Sequence, residues 1–97
     1  MDHREWLAPR VAWLDRVRAS HTCAVCGSAD VSGFAAATEK QPFSPNRANI
    51  RQGSQRFLFA LSQSVPICRS CSVKMSGPGT FPEEKRIDIR TVEPPPW

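Results

Sequence analysis

The chain has 97 residues, a formal net charge of +4 at pH 7, no tyrosine and four cysteines. A chain of this length makes one small domain with a limited core, which usually needs a disulfide or a metal as reinforcement. Its longest apolar run, FLFAL at 57–61, is far too short to cross a bilayer, and the charged opening MDHREWLAPR lacks the apolar stretch of a secretory signal. We therefore expect no membrane association and an intracellular protein with reduced thiols, located in the cytoplasm or, alternatively, in an organelle.

The first predicted element is a helix in the stretch HREWLAPRVAWLDRVRAS, whose apolar residues fall on two adjacent stripes and form one broad apolar face. Proline suits the first turn of a helix, so the regular helix would begin near Ala8–Pro9. Alternatively, Asp2 and Glu5 form a capping box and Pro9 kinks a longer helix. Ser20 ends the helix, and the first cysteine pair follows at once.

The middle of the chain predicts strands joined by a long loop. Residues Val31 to Ala37 are expected to form a strand or loop, and the polar segment EKQPFSPNRANIRQGSQ a loop with one short helical turn at Asn46–Gln52. The stretch RFLFALSQSVPI predicts a strand that is apolar on both faces, because Phe57, Phe59 and Leu61 alternate with apolar neighbours.

The end of the chain predicts a short helix followed by an extended tail. The helix should run from Ser70 to Ser76 and stop at Gly77–Gly79. In KRIDIRTVE, Ile87 and Ile89 alternate with charged residues, which predicts a half-buried strand. The closing PPPW predicts a stiff polyproline extension, with Trp97 packed on a surface, offered to a partner or frayed. The chain thus divides into a single domain at 1–79, which contains all four cysteines, and a strand with a Pro-rich tail at 80–97.

The four cysteines form two Cys-x-x-Cys pairs, Cys23 with Cys26 and Cys68 with Cys71. Such pairs suit tetrahedral Zn²⁺, and four thiolates leave no open position, which is typical of a structural metal. Disulfides would need an oxidising compartment, a redox pair would need a βαβ context, and an iron–sulfur cluster takes the same four ligands. His21 lies two residues before the first cysteine, but four thiols already complete the site. We predict one structural zinc on the four cysteines.

The order of helix, Cys-x-x-Cys-Gly, hairpin, long loop, VPICRSC and helix resembles the zinc-bearing HNH endonuclease family of the treble-clef group. The resemblance covers roughly residues 6–76 and is most specific at the two cysteine pairs and their flanks. It implies a small α+β zinc-bound domain with an N-terminal helix, a Cys₄ site of treble-clef or zinc-ribbon type, a short β-hairpin and an extended C-terminal tail.

The catalytic part of that family pattern is missing. In the nucleases of this family, histidines between the two Cys-x-x-Cys turns, called knuckles, act as general base and metal ligand. Residues 27–67 of this chain contain no histidine. Asn46 and Asn49 remain without a base beside them, and Ser72 stands where many members carry histidine. The resemblance therefore implies the scaffold and argues against an enzyme.

The positive charge is concentrated at 31–80, a segment that contains six basic residues and one acidic residue, Glu39. We expect a non-enzymatic module that contacts RNA or DNA, since these residues sit among amide and hydroxyl side chains suited to phosphate. The candidate nucleic-acid-binding residues are Lys40, Arg47, Arg51, Arg56, Arg69 and Lys74. The alternative is an assembly subunit or small inhibitor that clips onto a large protein or ribonucleoprotein complex, with Trp97 as a contact. A degenerate HNH-type nuclease is the third hypothesis, and no small-molecule substrate is expected.

Overall fold

The computed structural model describes residues 3–75 and 81–97 of the chain. Its helices and strands are α1 (His3–Ala19), β1 (Val31–Ala36), α2 (Ser54–Ser62), β2 (Ser64–Cys68) and α3 (Arg69–Lys74), with 3₁₀ turns at Arg47–Asn49 and Glu83–Lys85. Among the described helices, none combines the length and apolarity that a bilayer crossing requires. The predicted α+β class, N-terminal helix and antiparallel strand pair are confirmed.

Helix α1 runs through Pro9, so the predicted start near Ala8–Pro9 is wrong and the longer helix is the one that forms. Proline cannot donate to the carbonyl of Glu5, but both residues are exposed, so water can satisfy that carbonyl. Asp2, half of the predicted capping box, lies outside the described residues. One face of α1 is buried, through Trp13, Leu14 and Val17.

Strands β1 and β2 pair antiparallel, from Val31 opposite Cys68 to Ala36 opposite Ser64, with a register shift between Val31 and Gly33. Every residue of β2 is buried. The strand predicted around Val31–Ala37 and the helical turn within Asn46–Gln52 are confirmed. Helix α3 begins at the second cysteine pair, as expected, but the predicted end at Ser76 is wrong, because the helix ends at Lys74 and Met75 already has extended backbone. Gly77–Gly79 lie outside the described residues.

The strand predicted over RFLFALSQSVPI is wrong for most of its length, because residues 54–62 form α2 and only 64–68 form a strand. The buried residues of α2 are Phe57, Ala60 and Leu61, which share one helical face, whereas Phe59 points outward and is 46% exposed. A short run that is apolar at every position satisfies a helix and a strand equally, and here packing at the helical spacing decides.

The strand predicted around Ile87 and Ile89 is also wrong, since the segment forms a 3₁₀ turn at Glu83–Lys85 followed by irregular backbone. Only Ile87 is buried, and its N–H donates to the Ser64 carbonyl at 2.9 Å. This hydrogen bond joins the segment to β2, but the segment does not add a strand to the sheet. Instead of standing apart as an extended tail, the segment contributes Phe81 and Ile87 to the buried core.

The apolar interior consists of two clusters. The helical core joins α1, α2 and the C-terminal segment through Trp13, Leu14, Val17, Ile50, Phe57, Leu61 and Ile87. The metal-end core surrounds the cysteines and contains Cys23, Ala24, Ala37, Val65, Ile67, Cys68, Cys71 and Phe81. The two strands connect the clusters, because Phe34 of β1 packs on the helical core while Val65 and Ile67 of β2 belong to the metal-end core.

Candidate metal centre and basic surface

The first cysteine pair lies in a tight turn between α1 and β1. Gly27 N–H donates to the Cys23 carbonyl at 2.9 Å, and Cys23 N–H donates to the Ser28 carbonyl at 2.8 Å. Gly27 has a φ of +78°, the left-handed region that other residues reach only at a steric cost. The glycine after the second cysteine is therefore required by the turn that points both sulfurs the same way.

The second cysteine pair lies where β2 becomes α3. Cys68 is the last residue of β2 and the N-cap of α3, and Cys71 lies in the first helical turn, where its carbonyl accepts from Met75 N–H at 2.9 Å. Ala24 N–H donates to the Pro66 carbonyl at 2.9 Å, which ties the first turn to β2. The fold thus brings two pairs that are far apart in sequence against each other.

The four sulfur atoms all lie within 4.8 Å of one another, and Cys26 Sγ is 3.5 Å from Cys68 Sγ. Sulfurs bonded at about 2.3 Å to one tetrahedral ion would be about 3.8 Å apart, which is close to this arrangement. Cys23, Cys68 and Cys71 are buried and Cys26 is exposed. The donor set fits one metal ion, and it is the only such cluster of Cys, His and carboxylate groups within residues 3–75 and 81–97.

The thiols differ in acidity. Burial raises the pKa of Cys23, but backbone N–H groups of Cys26, Cys68 and Val25 that donate to its sulfur outweigh this and lower the pKa to about 6. Burial, the hydrogen bonds that the protonated Cys71 donates to the neighbouring sulfurs, and the negative charge of Cys23 together raise the pKa of Cys71 to about 12. Cys23 is therefore readily a thiolate, whereas Cys71 stays protonated because a second thiolate beside Cys23 would be repelled. A bound cation that replaces the protons would offset this repulsion between thiolates.

His21 is outside the donor set. Its Nδ1 lies 2.6 Å from the Val17 carbonyl oxygen, so Nδ1 carries the proton and donates to the last turn of α1. The histidine therefore helps end α1 just before the first cysteine pair.

The six candidate basic residues are all exposed. Arg47 bonds Asp15 of α1 at 3.0 Å, and the Arg56 guanidinium lies 5.8 Å from the centre of the Phe43 ring. Arg69 and Lys74 lie on α3, beside the metal-end core. The remaining two, Lys40 and Arg51, lie in the segments on either side of the Arg47–Asn49 turn. Arg56 lies on α2 and not in that loop. The fold therefore divides the set among the loop before α2, α2 itself and the short helix α3 next to the cysteines.

Trp97 packs against the helical core of its own chain. Its ring centre lies 5.3 Å from that of Trp13 and 5.6 Å from that of Phe57, both edge-to-face, and its Nε1 donates to the Gln52 carbonyl at 2.9 Å. The Arg10 guanidinium lies 4.7 Å from the Trp97 ring. Of the alternatives that the sequence leaves open, packing on a surface is the one observed, and the predicted partner contact stays a prediction.

Sequence reasoning missed that Asp15 of α1 pairs with Arg47 in the loop before α2. Asp15 accepts from Arg18 at 3.1 Å as well as from Arg47. The spacing of Asp15 and Arg18, three residues apart on a helix, is a signal that could have indicated the first pair. The Asp15–Arg47 pair spans a fold that no local pattern indicates.

No protein-family model, no curated protein and no solved structure matches this chain.

Proposed function

We propose that this protein is a non-enzymatic module, stabilised by one structural zinc ion, that contacts nucleic acid through its exposed basic residues. Zinc is the metal that best suits four thiolates in a tetrahedron, and a site filled by four protein ligands has no position for substrate. A knuckle, a strand pair and a second knuckle at a helix start resemble the treble-clef arrangement expected from the sequence. These features support a metal that holds the fold and leaves function to the surface.

The observation that carries the proposal is the availability of the basic side chains. All six are exposed, and within the described ranges the only acidic partner that any of them bonds is Asp15, which pairs with Arg47. Asp88, a conceivable partner for the loop arginines, instead bonds Arg90 at 3.0 Å. Cations that are not neutralised by the chain's own acids are available for phosphate groups.

The asparagines of the loop have structural partners, which supports a role without catalysis. Asn46 Oδ1 accepts from Asn49 N–H at 3.2 Å and so caps the 3₁₀ turn, and Asn49 Nδ2 donates to the Ser44 carbonyl at 2.8 Å. Both amides hold the loop that presents Arg47.

The test compares binding of single-stranded RNA, single-stranded DNA and duplex DNA at several salt concentrations. Replacing Arg47, Arg51 and Arg56 by Ala should weaken binding to every sequence and reduce the slope of log K against log salt by roughly 0.7–0.9 for each phosphate that is no longer bound. The matched control removes the same charge elsewhere, by replacing Lys85, Arg86 and Arg90, which are also exposed. In the same tubes, Mg²⁺ or Mn²⁺ should leave plasmid and RNA intact.

An unchanged affinity and salt slope in the triple arginine variant would remove Arg47, Arg51 and Arg56 from the interaction. Equal losses of affinity in the triple arginine variant and its control would mean that only the overall charge matters. Cleavage that disappears on replacing Asn46 or Asn49 would overturn the non-enzymatic interpretation.

One observation favours the second candidate, a subunit that binds protein. Val73 on α3 is 82% exposed, and Val25 in the first cysteine turn is 42% exposed. An association with a protein that resists salt, survives the triple arginine change and weakens in Val73→Ser would support this candidate instead.

A further inference from the structure

A cleft of about 340 Å³ lies between α1, β1 and residues 45–48. Its apolar walls include Leu14, Phe34 and Pro45, and its polar side is formed by Asp15, Arg18 and Arg47. The volume lies at the low end of the range for small-molecule sites. The cleft therefore combines flat apolar surface with two guanidinium groups in a space suited to one small group.

The charges of this cleft do not cancel. Asp15 Oδ1 accepts from Arg18 Nη2 at 3.1 Å, and Oδ2 accepts from Arg47 Nη2 at 3.0 Å. Two guanidiniums share one carboxylate, so the group carries a net positive charge. Each guanidinium has five N–H donors, and its bonds to Asp15 engage Nη2 alone. The side chains of Arg18 and Arg47 are 36% and 65% exposed, so their other donors can reach a ligand.

We propose that this cleft binds one nucleotide, with its phosphate on Arg18 and Arg47 and its base against the ring of Phe34, which is only partly buried. Guanidinium groups bind phosphate through paired N–H donors, and unpaired bases stack on aromatic side chains. A space this small admits a single nucleotide and not the edge of a duplex. This inference rests on the proposed function, because the nucleotide would be an unpaired residue of a bound nucleic-acid strand. A free nucleotide offers the same phosphate and base.

Ala48 allows the cleft to be narrowed without altering a charge. It lines the cleft on the side of the Arg47–Asn49 turn and is exposed, so a larger side chain there has room. Gly33 is less suitable, because it pairs with Ile67 on the strand face opposite Phe34. Ala48→Leu should therefore occupy part of the cleft while leaving the fold intact, which metal content and circular dichroism can verify.

The experiment uses two probes, adenosine 5′-monophosphate and a short unstructured oligoadenylate RNA, with the metal-loaded protein. The mononucleotide should shift the amide resonances of residues that line the cleft. Ala48→Leu and Arg47→Gln should each lower affinity for the RNA about tenfold, consistent with removing one stacked base or its phosphate anchor. The control Arg69→Gln removes the same charge from α3 and should lower affinity about threefold or less.

The outcomes separate this inference from the proposed function. RNA binding that is unaffected by Ala48→Leu, with no mononucleotide shifts in the cleft, overturns the cleft and leaves the wider proposal standing. Mononucleotide shifts that Ala48→Leu abolishes, in a protein that does not bind RNA, support the cleft and overturn the wider proposal. The absence of binding by either probe overturns both.

Discussion

At the scale of single residues, Trp97 makes the most varied contacts with the helical core. It contacts two buried aromatic rings edge-to-face, donates from its indole nitrogen and lies beside the Arg10 guanidinium, which also lies 4.4 Å from the Trp6 ring. Trp13 connects to the same segment, because its Nε1 donates to the Glu93 carbonyl at 2.9 Å. The end of the described chain is thus attached to α1 at several points.

We expect Trp97→Ala to lower the free energy of unfolding by about 2–3 kcal/mol, below the range for fully buried aromatics because the indole is only half-buried. Trp97→Phe keeps a ring but removes the N–H donor, so its free energy of unfolding should lie between those of the parent and Trp97→Ala. Urea denaturation measures both. An unchanged unfolding midpoint in Trp97→Ala would show that this packing contributes nothing. Any use of Trp97 variants to probe a partner contact must first account for this decrease in stability.

At the scale of elements, α2 shows what a short apolar run leaves undecided. In a strand, Phe57 and Phe59 would share a face, whereas in the observed helix Phe57 is fully buried and Phe59 is 46% exposed. The assignment depends on α1 and the C-terminal segment, which supply the helical core that Phe57 enters. Those neighbours are distant in sequence, so the periodicity of residues within the run cannot indicate them.

Two variants with the same chemistry test this assignment. Phe57→Ala should lower stability by about 3–5 kcal/mol, since it empties a fully buried site, whereas Phe59→Ala should lower it by less than about 1 kcal/mol. The measurement is the denaturation midpoint of each variant against the parent. Similar decreases in the two variants would indicate the strand and contradict the helix.

Elements with local signals were predictable from the sequence, and elements defined by distant contacts were not. The cysteine pairs, the glycine at 27 and the short helix after Cys68 follow from turn chemistry and ligand spacing, which act over a few residues. The segment around Ile87 alternates like a strand, but β2 accepts only one hydrogen bond from it, at Ser64. The cleft combines Asp15 of α1 with Arg47 of the loop, a pairing that only the assembled fold creates.

At the scale of the whole molecule, the metal site and the helical core are joined through the β1–β2 pair. Structural zinc contributes on the order of 10 kcal/mol to small domains, comparable with the entire stability of a domain of this size. Strand β1, which pairs with the strand that carries Cys68, also places Phe34 against the helical core. Removal of the proposed zinc should therefore affect both ends of the molecule together.

We expect about one zinc ion per chain by elemental analysis, and a strong chelator should abolish helical circular dichroism and the buried-tryptophan fluorescence in one transition. Acid should have the same effect, because protons compete with the metal for the thiolates. Readdition of zinc is the control for reversibility. Tryptophan fluorescence that persists after the metal is removed would mean that the helical core, which holds Trp13 and Trp97, stands without the metal end.

The bond between Trp13 and Glu93 joins positions 80 apart in the chain. All four cysteines precede Ile87, Glu93 and Trp97 in the chain. The ligands for a metal are therefore complete by residue 71, whereas the helical core also needs residues of the C-terminal segment. Contacts over such long separations form slowly. Until they form, part of the apolar face of α1 stays uncovered, which exposes the folding chain to aggregation.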